Sequence, residues 1–163
     1  MKQIGFVGFS GSGKSSLAKI AGTYGFKAVD TDAEIIRKYG SKPFDAILAG
    51  DEKSFRDIES ETIASCIASD ASVIAFGGGV NFNHKSFDKI REAGIKIIYL
   101  KSSFEELGKR FKERPLYLRL GLDGYKKLYK SREPLYENCA DFTIDTCNKT
   151  LEEIWTEVKK LWN

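Results

Sequence analysis

Eight residues near the start of the chain, Gly8-Phe9-Ser10-Gly11-Ser12-Gly13-Lys14-Ser15, have the types and spacing needed to hold a polyphosphate. They match the pattern G-x-x-x-x-G-K-[ST], whose glycines let backbone N–H groups approach phosphate oxygens closely. In this pattern Lys14 reaches the β- and γ-phosphates, and the Ser15 hydroxyl binds Mg²⁺. The motif therefore predicts a site for a nucleoside triphosphate.

The segments on either side of the motif support this prediction. Ile4-Gly5-Phe6-Val7 is an apolar run typical of a buried strand, and the segment from Ser16 to Ala21 has apolar residues at helical spacing. A strand, a glycine-rich turn and a helix in this order form a P-loop, and the helix N-terminus favours anions. A flexible Gly/Ser-rich turn is the simpler alternative, and the flanking elements disfavour it.

Two carboxylates, Asp30 and Asp32, follow the next predicted strand, Lys27-Ala28-Val29. If that strand continues, both side chains point to the same side. A phosphoryl-transfer site needs such groups to hold Mg²⁺ and to orient the acceptor hydroxyl or take its proton. A helix N-cap is the alternative, but it accounts for Asp32 alone. We therefore expect a functional pair.

A run of three glycines and four arginines complete the candidate chemistry. Gly77-Gly78-Gly79 follows an apolar strand, so we expect exposed backbone N–H groups against which a small anion or polyol can lie. Guanidinium groups neutralise transferring phosphate and bind carboxylates bidentately. The candidates are Arg56, which Glu59 one turn later can orient, Arg110, Arg114 and Arg132. Taken singly, each arginine is better explained as a solvated surface charge.

The elements that must position these residues follow an α/β pattern. Apolar runs alternate with helical patterns along the 163 residues, which predicts one domain with a parallel sheet. Further strands are predicted over residues 71–76, 95–100 and 141–144. Because ligands bind beyond the carboxyl ends of such strands, the P-loop, Asp30–Asp32 and Gly77–Gly79 are expected to meet in one crevice.

The intervening helices have recognisable boundaries. Residues 33 to 69 predict helices, broken near residues 40–43, that stand beside the sheet as an insertion. Capping boxes at Ser103 with Glu106 and at Thr150 with Glu153 begin two later helices. The last helix is predicted to bury one apolar face, formed by Leu151, Ile154, Trp155, Val158, Leu161 and Trp162.

Composition narrows the possible partners. Lys and Arg number 26 against 23 Asp and Glu, for a net charge of +3, which gives no reason to expect a nucleic-acid partner. We expect no membrane span, because no segment reaches the apolar length that one requires. We also expect no signal peptide, because Met1-Lys2-Gln3 leads straight into the first strand. The three cysteines lack metal-ligand spacing, which favours reduced thiols in the cytoplasm.

Taken in order, these pieces resemble the shikimate kinase family over essentially the whole chain. The segments that carry the resemblance are Gly8–Ser15, Asp30-Thr31-Asp32, Phe55-Arg56-x-x-Glu59, Gly77-Gly78-Gly79, Arg114-Pro115-Leu116 and Arg132-x-Pro134-Leu135-Tyr136. The resemblance implies an α/β, three-layer P-loop NTPase fold with a five-stranded parallel sheet of order 2-3-1-4-5. It also implies a single P-loop kinase domain over residues 1–163, with a substrate-binding insertion at 33–60 and a lid at 110–120.

The resemblance further implies transfer of the ATP γ-phosphate to the 3-hydroxyl of shikimate by a monomeric, Mg²⁺-dependent enzyme of aromatic amino-acid biosynthesis. Lys14, Asp32 and Arg114 would be catalytic, and Ser15 and Asp30 would hold the metal. The nucleotide would contact Gly11, Ser12, Gly13, Lys14, Ser15, Ser16, Arg110 and Arg114, with Arg110 over the adenine. Shikimate would contact Asp32, Arg56, Gly78, Gly79 and Arg132, the two arginines clamping its carboxylate.

The sequence departs from the family pattern at several positions. Phe76 stands where a small hydroxyl residue is common, Ile36 where a glutamate is usual, and Ser10 where a larger apolar residue is frequent. Asn148-Lys149 stands where relatives often present arginine to adenine. None of these positions removes a group that the chemistry requires.

Three other functions compete with this one. A GTPase is disfavoured because Asn148-Lys149-Thr150-Leu151 lacks the acid that specifies guanine. A small-molecule P-loop kinase acting on gluconate or a nucleoside monophosphate is the main alternative. Residues 33 to 69 show no pocket that would recognise a nucleotide base, and the Arg56 and Arg132 pair, with Asp30-Thr31-Asp32, favours a hydroxy-acid acceptor. A catalytically inactive ATP-binding module is disfavoured because Lys14, Asp32 and Arg114 are all present.

Overall fold

A computed structural model describes residues 3–80 and 85–162. The strands are β1 (Ile4–Val7), β2 (Ala28–Asp30), β3 (Val73–Ala75), β4 (Lys96–Lys101) and β5 (Phe142–Asp145). The helices are α1 (Lys14–Thr23), α2 (Thr31–Tyr39), α3 (Lys42–Leu48), α4 (Glu52–Ala68), α5 (Lys85–Glu92), α6 (Phe104–Gly108), α7 (Pro115–Cys139) and α8 (Leu151–Trp162). The predicted alternation of strands and helices is confirmed.

The five strands form one parallel sheet in the order β2-β3-β1-β4-β5. β1 lies at its centre, with Gly5 opposite Ile74 of β3 and Ile97 of β4. All five strands therefore end at the same edge of the sheet, where the P-loop leaves β1. The predicted strand order is confirmed.

Helices cover both faces of the sheet and make the fold three-layered. Along β4, Ile97 and Tyr99 pack in one core cluster while Ile98 and Leu100 pack in the other, as the two-residue period of a strand requires. The first cluster takes side chains from α4, α5 and α7, and the second from α1 and α8. This layering matches the predicted α/β class.

Phe76, one of the departures from the family pattern, is part of this core. Its ring is 1% exposed and lies against the backbone of Gly5, where a Cβ would stand 2.4 Å from the ring atom Cε2. Glycine at position 5 therefore makes room for the large side chain at position 76. Ile36, another departure, is 54% exposed on α2 and contributes nothing to this packing.

The last helix is close to its prediction. Thr150 and Glu153 form the reciprocal capping box, with Thr150 N–H donating to Glu153 Oε2 at 2.7 Å and Glu153 N–H to Thr150 Oγ1 at 3.2 Å. Trp155 is fully buried and Trp162 packs against the same cluster, so both tryptophans are core residues. The prediction is wrong for Leu161, which is 37% exposed at the edge of the apolar stripe in the last turn of the helix.

In the parts of the chain that the structure describes, no helix is long and apolar enough to cross a membrane. Cys66, Cys139 and Cys147, all within those parts, are free thiols.

Candidate active site

The P-loop wraps from the end of β1 to the start of α1. Gly11 and Gly13 have φ of 88° and 99°, a region that side chains disfavour, so glycine is required at both bends. Gly13 precedes the first residue of α1 and supplies no capping side chain, which leaves the first-turn N–H groups of the helix for an anion. The backbone is therefore shaped for phosphate.

Lys14 is buried inside this loop. Its ammonium donates to the carbonyls of Gly8 at 2.7 Å and Phe9 at 3.0 Å. Burial lowers the pKa of Lys14 to about 8, against the opposing effect of the nearby carboxylates of Asp32 and Asp30. A polyphosphate would add negative charge beside this ammonium and favour its protonated form.

A cavity of about 410 Å³ opens beside the P-loop. It brings together most of the residues that the sequence singled out. Those lining it are Gly11, Ser12, Gly13, Lys14, Ser15, Ser16, Asp30, Asp32, Gly78, Arg110 and Arg114. The predicted meeting of the P-loop, the aspartates and the glycine run in one crevice is confirmed.

Asp30 has a different local role from the one expected. Strand β2 ends at Asp30 instead of continuing, and Asp30 is the N-cap of α2, accepting from the N–H of Ala33 at 3.1 Å. The expectation that capping explains Asp32 alone is therefore wrong, because the helix begins two residues earlier than its apolar pattern indicates, at Thr31. The other carboxylate oxygen of Asp30 accepts from the Ser15 hydroxyl at the cavity, so the residue caps α2 and also faces the P-loop.

Asp32 lies in the first turn of α2, largely buried beside the glycine run. Its Oδ1 is 2.6 Å from the position of a Cβ on Gly77, so the carboxylate packs directly on that backbone. Burial raises the pKa of Asp32 above its usual range, and the Asp30 carboxylate raises it further, while Lys14 lowers it. A carboxylate with a raised pKa is a better proton acceptor, which suits a group that faces a hydroxyl.

Two arginines converge next to Asp32. The terminal Nη2 atoms of Arg132 and Arg56 lie 3.0 Å and 3.2 Å from the position of a Cβ on Gly79. Arg132 Nη1 also donates to the carbonyl of Gly78 at 3.2 Å. Any side chain at position 79 would press on both guanidinium groups, so the glycine run allows two cations to meet at one point. Such a pair is suited to a carboxylate.

Glu59 orients Arg56, as the spacing predicts. Its Oε1 accepts from Arg56 Nη1 at 2.8 Å, and both side chains are largely buried. Glu52, one turn earlier, accepts from Arg56 Nη2 at 3.1 Å and is exposed. Burial raises the pKa of Glu59 to about 7, although the Arg56 charge opposes the rise.

Glu59 should link stability to pH. Because its pKa rises from 4.5 to about 7 on folding, the native state holds a proton between these values that the unfolded chain releases. Its contribution to stability is therefore complete below pH 4.5 and lost as the pH rises through 7. Relative to the wild type, Glu59→Gln is expected to gain up to about 3 kcal/mol in free energy of unfolding between roughly pH 5 and pH 8, measured in urea.

The matched control is Glu52→Gln, which removes the exposed carboxylate that contacts the same arginine. Its free energy of unfolding should follow the wild-type pH dependence. A Glu59→Gln curve parallel to the wild type would show that Glu59 is ionised throughout and would contradict the assignment.

The glycine run is less open than the sequence predicts. Gly77 N–H is not exposed, because it donates to Thr31 Oγ1 at 3.0 Å. The Gly78 carbonyl accepts from Arg132 and from the Tyr136 hydroxyl. Sequence reasoning assigned no role to Thr31 or Tyr136, although both lie within motifs that carry the family resemblance.

Arg110 and Arg114 approach the cavity from the segment after α6. Arg110 Nη1 donates to the carbonyl of Gly11 at 3.0 Å, and Arg114 precedes the first residue of α7. Helix α7 is interrupted at Gly121, where φ is 68° and ψ is 179°. The break separates a short helix at the N-terminus of α7 from the long part that carries Arg132.

The far end of the cavity is formed by Thr146, Lys149, Leu151 and Ile154. Lys149 pairs with Glu157 at 2.8 Å, and the preceding Asn148 has φ of 57°. The cavity thus continues from the P-loop to the junction of β5 and α8, where a cation and apolar side chains are available to a nucleotide base.

A P-loop at the centre of a five-stranded parallel sheet, with carboxylates and arginines facing it, defines a P-loop kinase. The family model described as shikimate kinase matches residues 10–162. A shikimate kinase from Dictyoglomus turgidum is 35% identical over 163 residues, which span 95% of this chain and 94% of the relative. The chain belongs to the shikimate kinase family, whose members are ATP-dependent kinases.

Solved structures agree with this assignment. A shikimate kinase from Acinetobacter baumannii in complex with shikimate superposes with a TM-score of 0.84 at 26% identity, over 99% of this chain and 93% of that chain. A gluconokinase from Sinorhizobium meliloti gives a TM-score of 0.60 at 20% identity, over 99% of this chain and 95% of that chain. The second likeness is one of fold alone.

Proposed function

We propose that this chain transfers the γ-phosphate of ATP to the 3-hydroxyl of shikimate, giving shikimate 3-phosphate and ADP. The observation that carries the proposal is the position of Asp32, a largely buried carboxylate that lines the P-loop cavity and adjoins the glycine run at which Arg56 and Arg132 meet. A hydroxy-acid acceptor needs its hydroxyl held next to the transferring phosphate and its own carboxylate bound a short distance away. Asp32 suits the hydroxyl, and the two arginines suit the carboxylate. We propose in addition that the enzyme is a monomer and that it acts in the cytoplasm.

The nucleotide occupies the P-loop cavity. Backbone N–H groups of Gly11, Ser12 and Gly13 and the first turn of α1, including Ser16, hold its phosphates. Arg110 lies over the adenine. Ser15 and Asp30, hydrogen-bonded to each other at the cavity, offer the oxygen ligands that Mg²⁺ prefers, with Asp30 acting through water. The metal would neutralise phosphate charge when bound.

The acceptor lies on the glycine run. Arg56 and Arg132 hold its carboxylate bidentately, beside the backbone of Gly78 and Gly79, which leaves its hydroxyls toward Asp32. The 3-hydroxyl oxygen attacks the γ-phosphorus, the bond to the β–γ bridging oxygen breaks, and the proton goes to Asp32. Lys14 and Arg114 stabilise the charge on the transferring group.

Replacing Arg132 with lysine should weaken acceptor binding more than turnover. Lysine keeps the charge but loses the planar fork that pairs with a carboxylate. We expect the KM for shikimate to rise about ten- to a hundredfold, the range for a lost charged hydrogen bond, with a smaller change in kcat. Steady-state kinetics with saturating ATP measure both. Arg91→Lys is the control, because Arg91 lies on α5, donates to the Cys139 carbonyl and does not line the cavity. An unchanged KM in Arg132→Lys would contradict the clamp.

Residues 33–60 form the substrate-binding insertion and residues 110–120 the lid. The supporting observations are the break in α7 at Gly121, directly after the lid, and the 70% exposure of Leu118 within it. Exposed side chains and a hinge make a segment prone to local opening. Amide hydrogen exchange over residues 110–120 should therefore slow when an ATP analogue and shikimate are added together. Exchange in β1 and β4 should stay unchanged, and equal lid protection with and without ligands would disprove the lid.

The experiment that tests the proposal is ADP release from ATP and Mg²⁺ with shikimate, gluconate or a nucleoside monophosphate as acceptor. We expect strong stimulation by shikimate and background rates with the others. Stimulation by gluconate or a nucleoside monophosphate instead would replace shikimate with that acceptor and leave the P-loop chemistry in place.

A further inference from the structure

Thr31 sits between the two aspartates of the site, yet it faces the core. It is fully buried, at 0% exposure, and it is the first residue of α2. Its hydroxyl oxygen accepts a hydrogen bond from the N–H of Gly77 at 3.0 Å, across 46 positions of sequence. A polar side chain with no access to solvent is thus committed to one contact with the glycine run.

The Thr31–Gly77 hydrogen bond lies just beyond the last paired residues of β2 and β3. β2 and β3 are paired up to Asp30 and Ala75, after which the chain at Thr31 turns into a helix. A helical backbone sends its carbonyls along the helix axis, so no strand carbonyl remains at this edge to accept from the next N–H of the neighbouring chain. The Thr31 hydroxyl supplies the missing acceptor and extends the pairing of the two chains beyond the ladder.

The Gly77 backbone is the surface on which the acceptor-orienting group rests. Asp32 packs against it so closely that a Cβ on Gly77 would stand 2.6 Å from its Oδ1. The next two residues of the same run lie against Arg132 and Arg56. Any shift of Gly77 therefore changes the distance between the Asp32 carboxylate and the guanidinium groups of Arg56 and Arg132.

We infer that Thr31 is a positioning residue for the acceptor, setting the distance between Asp32 and the arginine pair through Gly77. The inference rests on the proposed function, since it concerns the same acceptor. Thr31 touches no reacting atom. Its effect comes from satisfying a buried N–H that would otherwise need another acceptor, for which the Asp32 carboxylate is the adjacent candidate.

The test uses three variants of the complete chain. Thr31→Val keeps the shape of the side chain but removes the acceptor oxygen, whereas Thr31→Ser keeps the oxygen. Thr62→Val is the matched control: Thr62 is also buried, at 8% exposure, but its hydroxyl donates to the Ile58 carbonyl within α4 and it does not line the cavity. Kinetics with shikimate, binding of an ATP analogue and thermal unfolding are measured for each.

For Thr31→Val we expect kcat/KM for shikimate to fall about ten- to a hundredfold, because the buried N–H of Gly77 loses its hydrogen-bond partner. Binding of the ATP analogue should be unchanged, because Gly77 lies beside the acceptor and not beside the phosphates. Thr31→Ser should recover most of the activity, and Thr62→Val should lower the melting temperature at most, with normal kinetics. Equal kcat/KM in Thr31→Val and Thr62→Val would overturn the inference, as would failure of serine to restore activity in a folded protein. Absence of shikimate-stimulated ADP release in the wild type would instead refute the proposed function.

Discussion

Asp32→Asn is expected to lower kcat by about two to four orders of magnitude, the range for removing a general base. Asparagine has the same shape but cannot receive the proton of the attacking hydroxyl, and it removes a charge that sits between Lys14 and the arginine pair. Binding of ATP should be nearly intact, because the phosphates are held by the P-loop. Single-turnover phosphate transfer and separate titration with an ATP analogue measure the two effects.

The control for this variant is Asp57→Asn, which removes an exposed carboxylate of α4 that does not line the cavity. It should retain kcat within about twofold, as surface substitutions away from a site usually do. Near-normal turnover in Asp32→Asn would show that the hydroxyl is oriented by another group, with Asp30 the nearest alternative.

Arg114→Gln is expected to lower kcat by about a hundred- to a thousandfold while changing the KM for shikimate much less. Arg114 lines the cavity and directly precedes the first residue of α7. Its positive charge lowers the pKa of both Lys14 and Asp32. A cation at this place stabilises charge that develops on the transferring phosphate, so its loss should act on the transition state more than on either substrate.

Lys112→Gln is the matched variant, since Lys112 is an exposed cation two residues away in the same segment and does not line the cavity. Loss of charge there should leave kcat close to that of the wild type. A similar loss in both variants would indicate general electrostatic attraction of ATP, and an unchanged kcat in Arg114→Gln would remove this arginine from the reaction.

The P-loop could be predicted from the sequence because its chemistry depends on local spacing. Glycines at fixed positions, a lysine and a serine between a strand and a helix determine a backbone shape that no distant residue needs to complete. The meeting of this loop with Asp30, Asp32 and the glycine run also followed from topology, since parallel strands end at one edge. The order of the strands came from the family resemblance.

What could not be predicted depends on contacts between distant residues or on exact helix starts. The sequence contains two aspartates at one helix start, and only the structure places the cap at Asp30, because β2 ends there and α2 begins at Thr31. The Gly77 N–H was expected to be open, and its partner lies 46 residues earlier. Neither Thr31 nor Tyr136 has a local pattern that announces a hydrogen bond to the glycine run.

The arginine pair falls between these cases. Spacing alone did not separate Arg56 and Arg132 from ordinary surface arginines, and the two are 76 positions apart in different helices. In the structure both reach the position of a Cβ on Gly79 within 3.2 Å. The reason for glycine at position 79 is therefore visible only in the structure, where two arginine side chains from distant helices occupy the space that a side chain would fill.

The most direct test of the central claim is the position of the phosphate on the product. The wild-type enzyme would be supplied with ATP, Mg²⁺ and shikimate, and the product examined by phosphorus–proton correlation NMR. We expect one product, with its phosphorus coupled to the proton on carbon 3, because the arginine pair and Asp32 hold the acceptor in a single orientation. Phosphate on another hydroxyl, or no transfer to shikimate, would contradict the account.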